Sequence, residues 1–124
     1  MRTPLKRARG LGSAKHGTGH FLWQRVTALA LVFLGVYLLG LLLWLGGADY
    51  DRAHALVSQP FNATILATCL VTMFWHAKLG LQVVIEDYVH APLLAGIAHM
   101  ANIIVCTLAA VAGVLAVVRI AFGV

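Results

Sequence analysis

The chain has 124 residues, 61% of them hydrophobic and only 10% charged, with a net charge of +5. Soluble domains run near 45–50% apolar and about 25% charged, so an ordinary soluble domain is excluded, and a disordered chain with it. Four acidic residues in total leave little from which to build a water-filled catalytic cleft, and at about 20 residues per span there is room for three or four membrane crossings but no sizeable soluble domain.

In chain order, residues 1–25 form a basic, acid-free tail carrying Arg2, Lys6, Arg7, Arg9, Lys15 and Arg25. A charge-free window, 26–45, follows. It is longer than the 7–15-residue apolar run typical of a signal peptide, which argues that it stays in the protein. The second window, 61–85, holds one charge, Lys78, and one histidine, His76; the third, 92–118, is uncharged and holds only His99. Residues 119–124 make a short tail. Alternating ~10-residue strand segments are absent, and a bilayer tolerates no open sheet. The expected fold is therefore an all-α membrane protein, a three-helix anchor domain over 26–118 with spans at 26–45, 61–85 and 92–118.

The basic tail predicts an N-terminus inside and a C-terminus outside. The first loop, 46–60, has Asp49, Asp51 and one base, Arg52, which suits the outer side. Trp23 and Tyr88 then fall at the inner boundary and Trp44 and Tyr50 at the outer one, as an interfacial belt requires. A short basic run abutting a span suits anionic headgroups better than nucleic acid. Cys69 and Cys106 lie within spans and read as small packing residues. Gly35, Gly40, Ala109 and Gly113 are expected at close helix contacts.

Ionisable groups at depth are the exceptions, since they are costly in hydrocarbon. At ~100° per residue, Cys69, Thr72, Gly80, Val83 and Asp87 fall within about 40° of His76, giving it a face of small and polar residues. Gly80, one turn on, leaves room for a bulky group. A neutral imidazole beside such a gap suits axial haem ligation; it equally suits a hydrogen bond to a neighbouring helix. Lys78 points about 160° away, where it can snorkel to the surface or meet a carboxylate. His99 reads as a packing or hydrogen-bonding residue. Beyond them, Glu86, Asp87, Tyr88 and His90 put four titratable groups into five residues. A phenol there can donate to a carbonyl oxygen, or be an ordinary interfacial tyrosine.

The run His76-Ala-Lys-Leu-Gly80-Leu-Gln-Val-Val-Ile-Glu-Asp87-Tyr88-Val-His90 resembles the signature of the small hydrophobic anchor (D) subunit of succinate dehydrogenase, complex II. The stretches Gly12-Ser13, His20-Phe21 and Gln24-Arg25-Val26-Thr27-Ala28 resemble that family's entry into its first span. The resemblance implies a succinate:quinone oxidoreductase in which a flavoprotein subunit oxidises succinate and an iron–sulfur subunit relays electrons. Two anchors, this one and a cytochrome b556 subunit, would share haem b and a ubiquinone site, and trimers of such heterotetramers are open to the assembly. By position His76 matches the family's haem ligand, with the second axial histidine from the partner anchor. Tyr88 matches the tyrosine that holds a ubiquinone carbonyl, Asp87 the carboxylate beside it, and Arg25 and Gly80 the haem or quinone pocket. The short chain without an obvious transit peptide favours a bacterial inner membrane, although the basic, acid-free tail leaves a mitochondrial one open; no activity is expected from the chain alone. Lys78 departs from the aromatic common there, and His20 does not align with a histidine some relatives carry. A cofactor-free structural or assembly protein and a fumarate reductase anchor are the alternatives.

Overall fold

The computed structural model describes residues 3–10 and 17–124, with Lys6 and Arg7 described by backbone alone. Arg2, Gly12, Ser13 and Lys15 lie outside the described residues. Five helices follow one another: α1 (Pro4–Ala8), α2 (Gly17–Trp44), α3 (Tyr50–Ser58), α4 (Pro60–Tyr88) and α5 (Pro92–Phe122). Among the described residues there is no strand. Helices α2, α4 and α5 are each long and apolar enough to cross a membrane.

The second and third apolar windows lie inside α4 and α5, and the first lies inside α2 except for Leu45, one residue past its end. Helix α2 begins nine residues before its charge-free stretch and carries His20, Gln24 and Arg25 within its first turns. Arg25 is exposed, so its charge can be solvated without interrupting the backbone ladder. Local chemistry sets the other boundaries. Gly47, at φ 76, breaks the chain after α2. Pro60 and Pro92 open α4 and α5 at the first turn, where a missing N–H costs nothing. Gly123 closes α5 in the left-handed region, and Arg119 sits in the last turn, where a cation complements the helix dipole.

Most of the loop 46–60 between the first two spans is helical. Asp49 caps α3 by accepting the Arg52 N–H at 2.9 Å. At nine residues the helix is too short to register as a span, and it packs on α4 and α5.

Helix α4 is the centre of the molecule. It packs against both α2 and α5, whereas α2 and α5 do not touch each other. Three helices in an open row enclose little interior, and no described side chain is fully buried. Of the eight residues classed as buried, three are polar: Thr27, Asn62 and Asn102. Each of them straps two helices together. Thr27 meets His76, Asn62 meets Tyr37, and Asn102 Nδ2 donates to the Lys78 carbonyl at 2.9 Å. In lipid, hydrogen bonds and close packing replace the hydrophobic force that water would supply. Gly113 gives such an approach, since a Cβ there would sit 3.1 Å from Leu70. Gly35 and Gly40 do not, for the space beside each is open within this chain.

Candidate functional site

The α2/α4 interface has its polar residues at two ends. Near the start of α4, Asn62 accepts a very short hydrogen bond from the Tyr37 hydroxyl and donates to the Leu56 carbonyl at 2.9 Å and to Gln59 Oε1 at 3.1 Å. Both amide hydrogens and the oxygen are engaged, and α2, α3 and α4 are tied at one point.

The second cluster contains His76. His20, Gln24 and Thr27 recur at i, i+4 and i+7 on α2, which places them on one helix face. Thr27 Oγ1 lies 3.0 Å from His76 Nδ1. The same oxygen is 2.8 Å from the Trp23 carbonyl and 3.1 Å from the Gln24 carbonyl. A hydroxyl has one proton and two lone pairs. With that proton directed to the backbone carbonyls, the oxygen can only accept from the imidazole. The network therefore assigns the hydrogen to Nδ1 and leaves Nε2, across the ring, with a free lone pair. Trp23 and Trp75 stack beside this contact with ring centroids 4.7 Å apart. The two sequence readings of His76 thus describe different nitrogens of one ring: Nδ1 meets a neighbouring hydroxyl, and Nε2 has no hydrogen-bond partner among the described residues.

Gly80 is covered by α2 rather than open. A Cβ there would lie 3.6 Å from Gln24 Nε2, an ordinary contact. Close by, two buried polar atoms have no hydrogen-bond partner: Gln24 Oε1 and His20 Nε2. Such atoms are rare and costly unless something outside the chain meets them. His76 Nε2 is a suitable axial donor to haem iron, and His20 Nε2, carrying a hydrogen, suits a carboxylate on the edge of the macrocycle, whereas the unmet Gln24 Oε1 is an acceptor that needs an N–H or O–H from another chain. The residues present fit the group.

Other expected site residues are not drawn together within this chain. Arg25 is exposed and lies over its own helix's Phe21, 5.0 Å from the ring centre. Asp87 is exposed, and Tyr88 is 79% exposed at the end of α4. By helical rise they are roughly 16–18 Å from His76 along the axis. Glu86, by contrast, accepts from Gln82 at 3.1 Å. His99 is half-buried on α5. The Asn102–Lys78 contact sets it about level with residue 81 of α4, roughly 7 Å along the axis from His76.

Cross-helix contacts also revise the depth of Lys78. Thr27 faces His76 and Gln24 faces Gly80, so Lys78 lies level with Arg25 and Val26. Those residues mark the edge of the charge-free window of α2 rather than its middle. Counting along α4 alone could not show this. Thr27 and Gln24 themselves went unassigned in the sequence; their spacing with His20 was the signal that could have found them.

The sequence is similar to those of known proteins. Residues 1–117 match the family described as succinate dehydrogenase/fumarate reductase transmembrane subunit. A succinate dehydrogenase hydrophobic membrane anchor subunit of Rickettsia bellii (strain RML369-C) is 38% identical over 89 residues, 72% of this chain and 71% of the relative. Proteins of the same description are 29% identical over 117 residues in Rickettsia typhi (strain ATCC VR-144 / Wilmington), 94% of each chain, and 34% identical over 86 residues in Paracoccus denitrificans, 69% of this chain and 67% of the relative. No solved structure matches the chain. With a match over nearly its whole length and three apolar helices in place, this chain belongs to the succinate dehydrogenase/fumarate reductase transmembrane-subunit family.

Proposed function

We propose that this chain is the hydrophobic membrane anchor of a succinate:quinone oxidoreductase. It docks the flavoprotein and iron–sulfur subunits on a bacterial inner membrane, with the basic tail inside. It pairs with a cytochrome b556 anchor subunit, sharing haem b and a ubiquinone site. The observation that carries the reading is the His76–Thr27 contact. An imidazole held by its Nδ1 hydrogen is fixed in orientation and keeps Nε2 as a stronger donor, the outer-shell arrangement that ligating histidines favour.

His76 would hold haem b together with a histidine of the partner anchor, and the group would supply a one-electron carrier. The chain's own residues do the rest. Thr27 sets the His76 tautomer, while His20 offers an N–H to the cofactor's rim and Gln24 Oε1 accepts from the partner chain. At the end of α4, Tyr88 donates its phenolic proton as a hydrogen bond to a ubiquinone carbonyl. Two electrons arrive from the iron–sulfur subunit and two protons from water, with Asp87 beside Tyr88 to relay them, giving ubiquinol. The exposure of both side chains suits a pocket completed by other subunits. The similarity to succinate dehydrogenase anchor subunits favours succinate oxidation over fumarate reduction.

The test is a dithionite-reduced minus oxidised visible spectrum of the purified complex, wild type beside His76→Ala. A b-type signal in the wild type that disappears or shifts in the assembled variant is expected. A b-type signal unchanged by the substitution removes His76 as ligand, and none in intact wild type leaves an anchor without haem.

A further inference from the structure

The other side of α4 carries a feature that neither haem nor quinone uses. A groove of about 620 Å³ runs between α4 and α5, walled by apolar side chains, with Lys78 the only charged residue lining it. Its α5 wall extends from Cys106 to Val118, roughly 18 Å by helical rise. That length is close to one leaflet of a hydrocarbon core about 30 Å thick. Lys78 stands at one end of the groove, level with Arg25, where the charge-free part of α2 begins. From Lys78 the groove leads away from the basic tail, into the apolar zone.

The Lys78 ammonium has no ion pair or hydrogen-bond partner among the described residues. The chain cannot supply one from its spans. Of its four acids, Asp49 and Asp51 are at the opposite end of the bundle, and Glu86 and Asp87 lie about 12–14 Å further along α4. A second copy of this chain would bring no acid to that depth either. A cation level with Arg25, at the mouth of an apolar channel about one leaflet long, matches the chemistry of an anionic lipid. We propose that the α4/α5 groove is a specific site for one anionic phospholipid, its phosphate on Lys78 and an acyl chain lying along the groove toward Val118.

Two measurements on the purified complex containing this chain test the site. In the first, the complex is placed in nanodiscs of equal phosphatidylglycerol and phosphatidylcholine, released, and its retained lipids are counted by native mass spectrometry. Wild type keeps one tightly held phosphatidylglycerol. Lys78→Gln lowers the preference for it over phosphatidylcholine by about fivefold, the effect of one cation at an anionic surface. Lys78→Arg keeps the preference, and Ala110→Leu, which fills the groove, lowers retention of both lipids. An unchanged preference in Lys78→Gln overturns the proposal. The second places a photo-crosslinker at Val111, which lines the groove and is 60% exposed, with Lys78 intact, so that it does not depend on the Lys78 variants assembling. A phospholipid adduct supports the site, whereas an adduct to another subunit makes the groove a protein interface and overturns it.

Discussion

The two polar ends of the α2/α4 interface are built from similar residues and finished differently. At Asn62, each amide hydrogen and the carbonyl oxygen finds a partner within the chain. About 21 Å along α4, at His76, one imidazole nitrogen is satisfied by Thr27, while Gln24 Oε1 and His20 Nε2 are buried with nothing to meet them. A buried polar group without a partner costs roughly 1–3 kcal/mol, and hydrocarbon offers no water to replace it. The first end is therefore a strap that holds this chain together. The second is left open among the described residues; under the proposed function its unmet atoms meet a cofactor and a partner chain.

That contrast predicts different consequences at the two ends. The largest effect expected short of losing His76 is on turnover. Tyr88→Phe should lower quinone reduction about tenfold, as expected for one hydrogen bond worth roughly 1.4 kcal/mol. Succinate oxidation with an artificial acceptor should stay intact. Equal loss of both activities would assign Tyr88 to assembly instead.

At the closed end, Asn62→Leu strands the Tyr37 hydroxyl and the Leu56 carbonyl. It should destabilise the complex by about 1–2 kcal/mol, near the upper range for interhelical hydrogen bonds in lipid, measured as a lower thermal midpoint. The haem spectrum should not change. If it does, the two ends are coupled and the contrast fails.

The smallest effect on stability, with the most specific readout, is expected from Thr27→Val, which removes the acceptor for His76 Nδ1–H. Stability should fall by no more than ~1 kcal/mol, but the haem midpoint potential and its electron paramagnetic resonance g-values should shift. Thr27→Ser should restore both. A potential unmoved by Thr27→Val would leave the Thr27–His76 contact as packing alone.

How much of this could be read from sequence depended on the range of the interaction. The three long helices were legible because continuous apolar runs need no partner to be recognised. Helix α3 was not, since its nine residues depend on the Asp49 cap and on packing against α4 and α5. His76 and the Asp87-Tyr88 turn stood out through their residue types at depth and their family resemblance. Thr27 and Gln24 did not, because a threonine and a glutamine near the start of a helix look like boundary residues until α4 is laid against them. The glycines divide the same way: Gly113 meets Leu70, whereas Gly35 and Gly40 meet nothing in this chain.

Sequence alone determined that the chain is a three-helix membrane protein and which histidine and which turn could carry chemistry. Composition and runs of apolar residues are one-dimensional properties that a bilayer reads directly. Tertiary structure decided three further matters. It made α4 the shared central helix, set Thr27 against Nδ1 of His76, and brought Lys78 level with Arg25. Each depends on the register between helices distant in sequence, and that register is set by a few polar contacts and close approaches that no local pattern encodes.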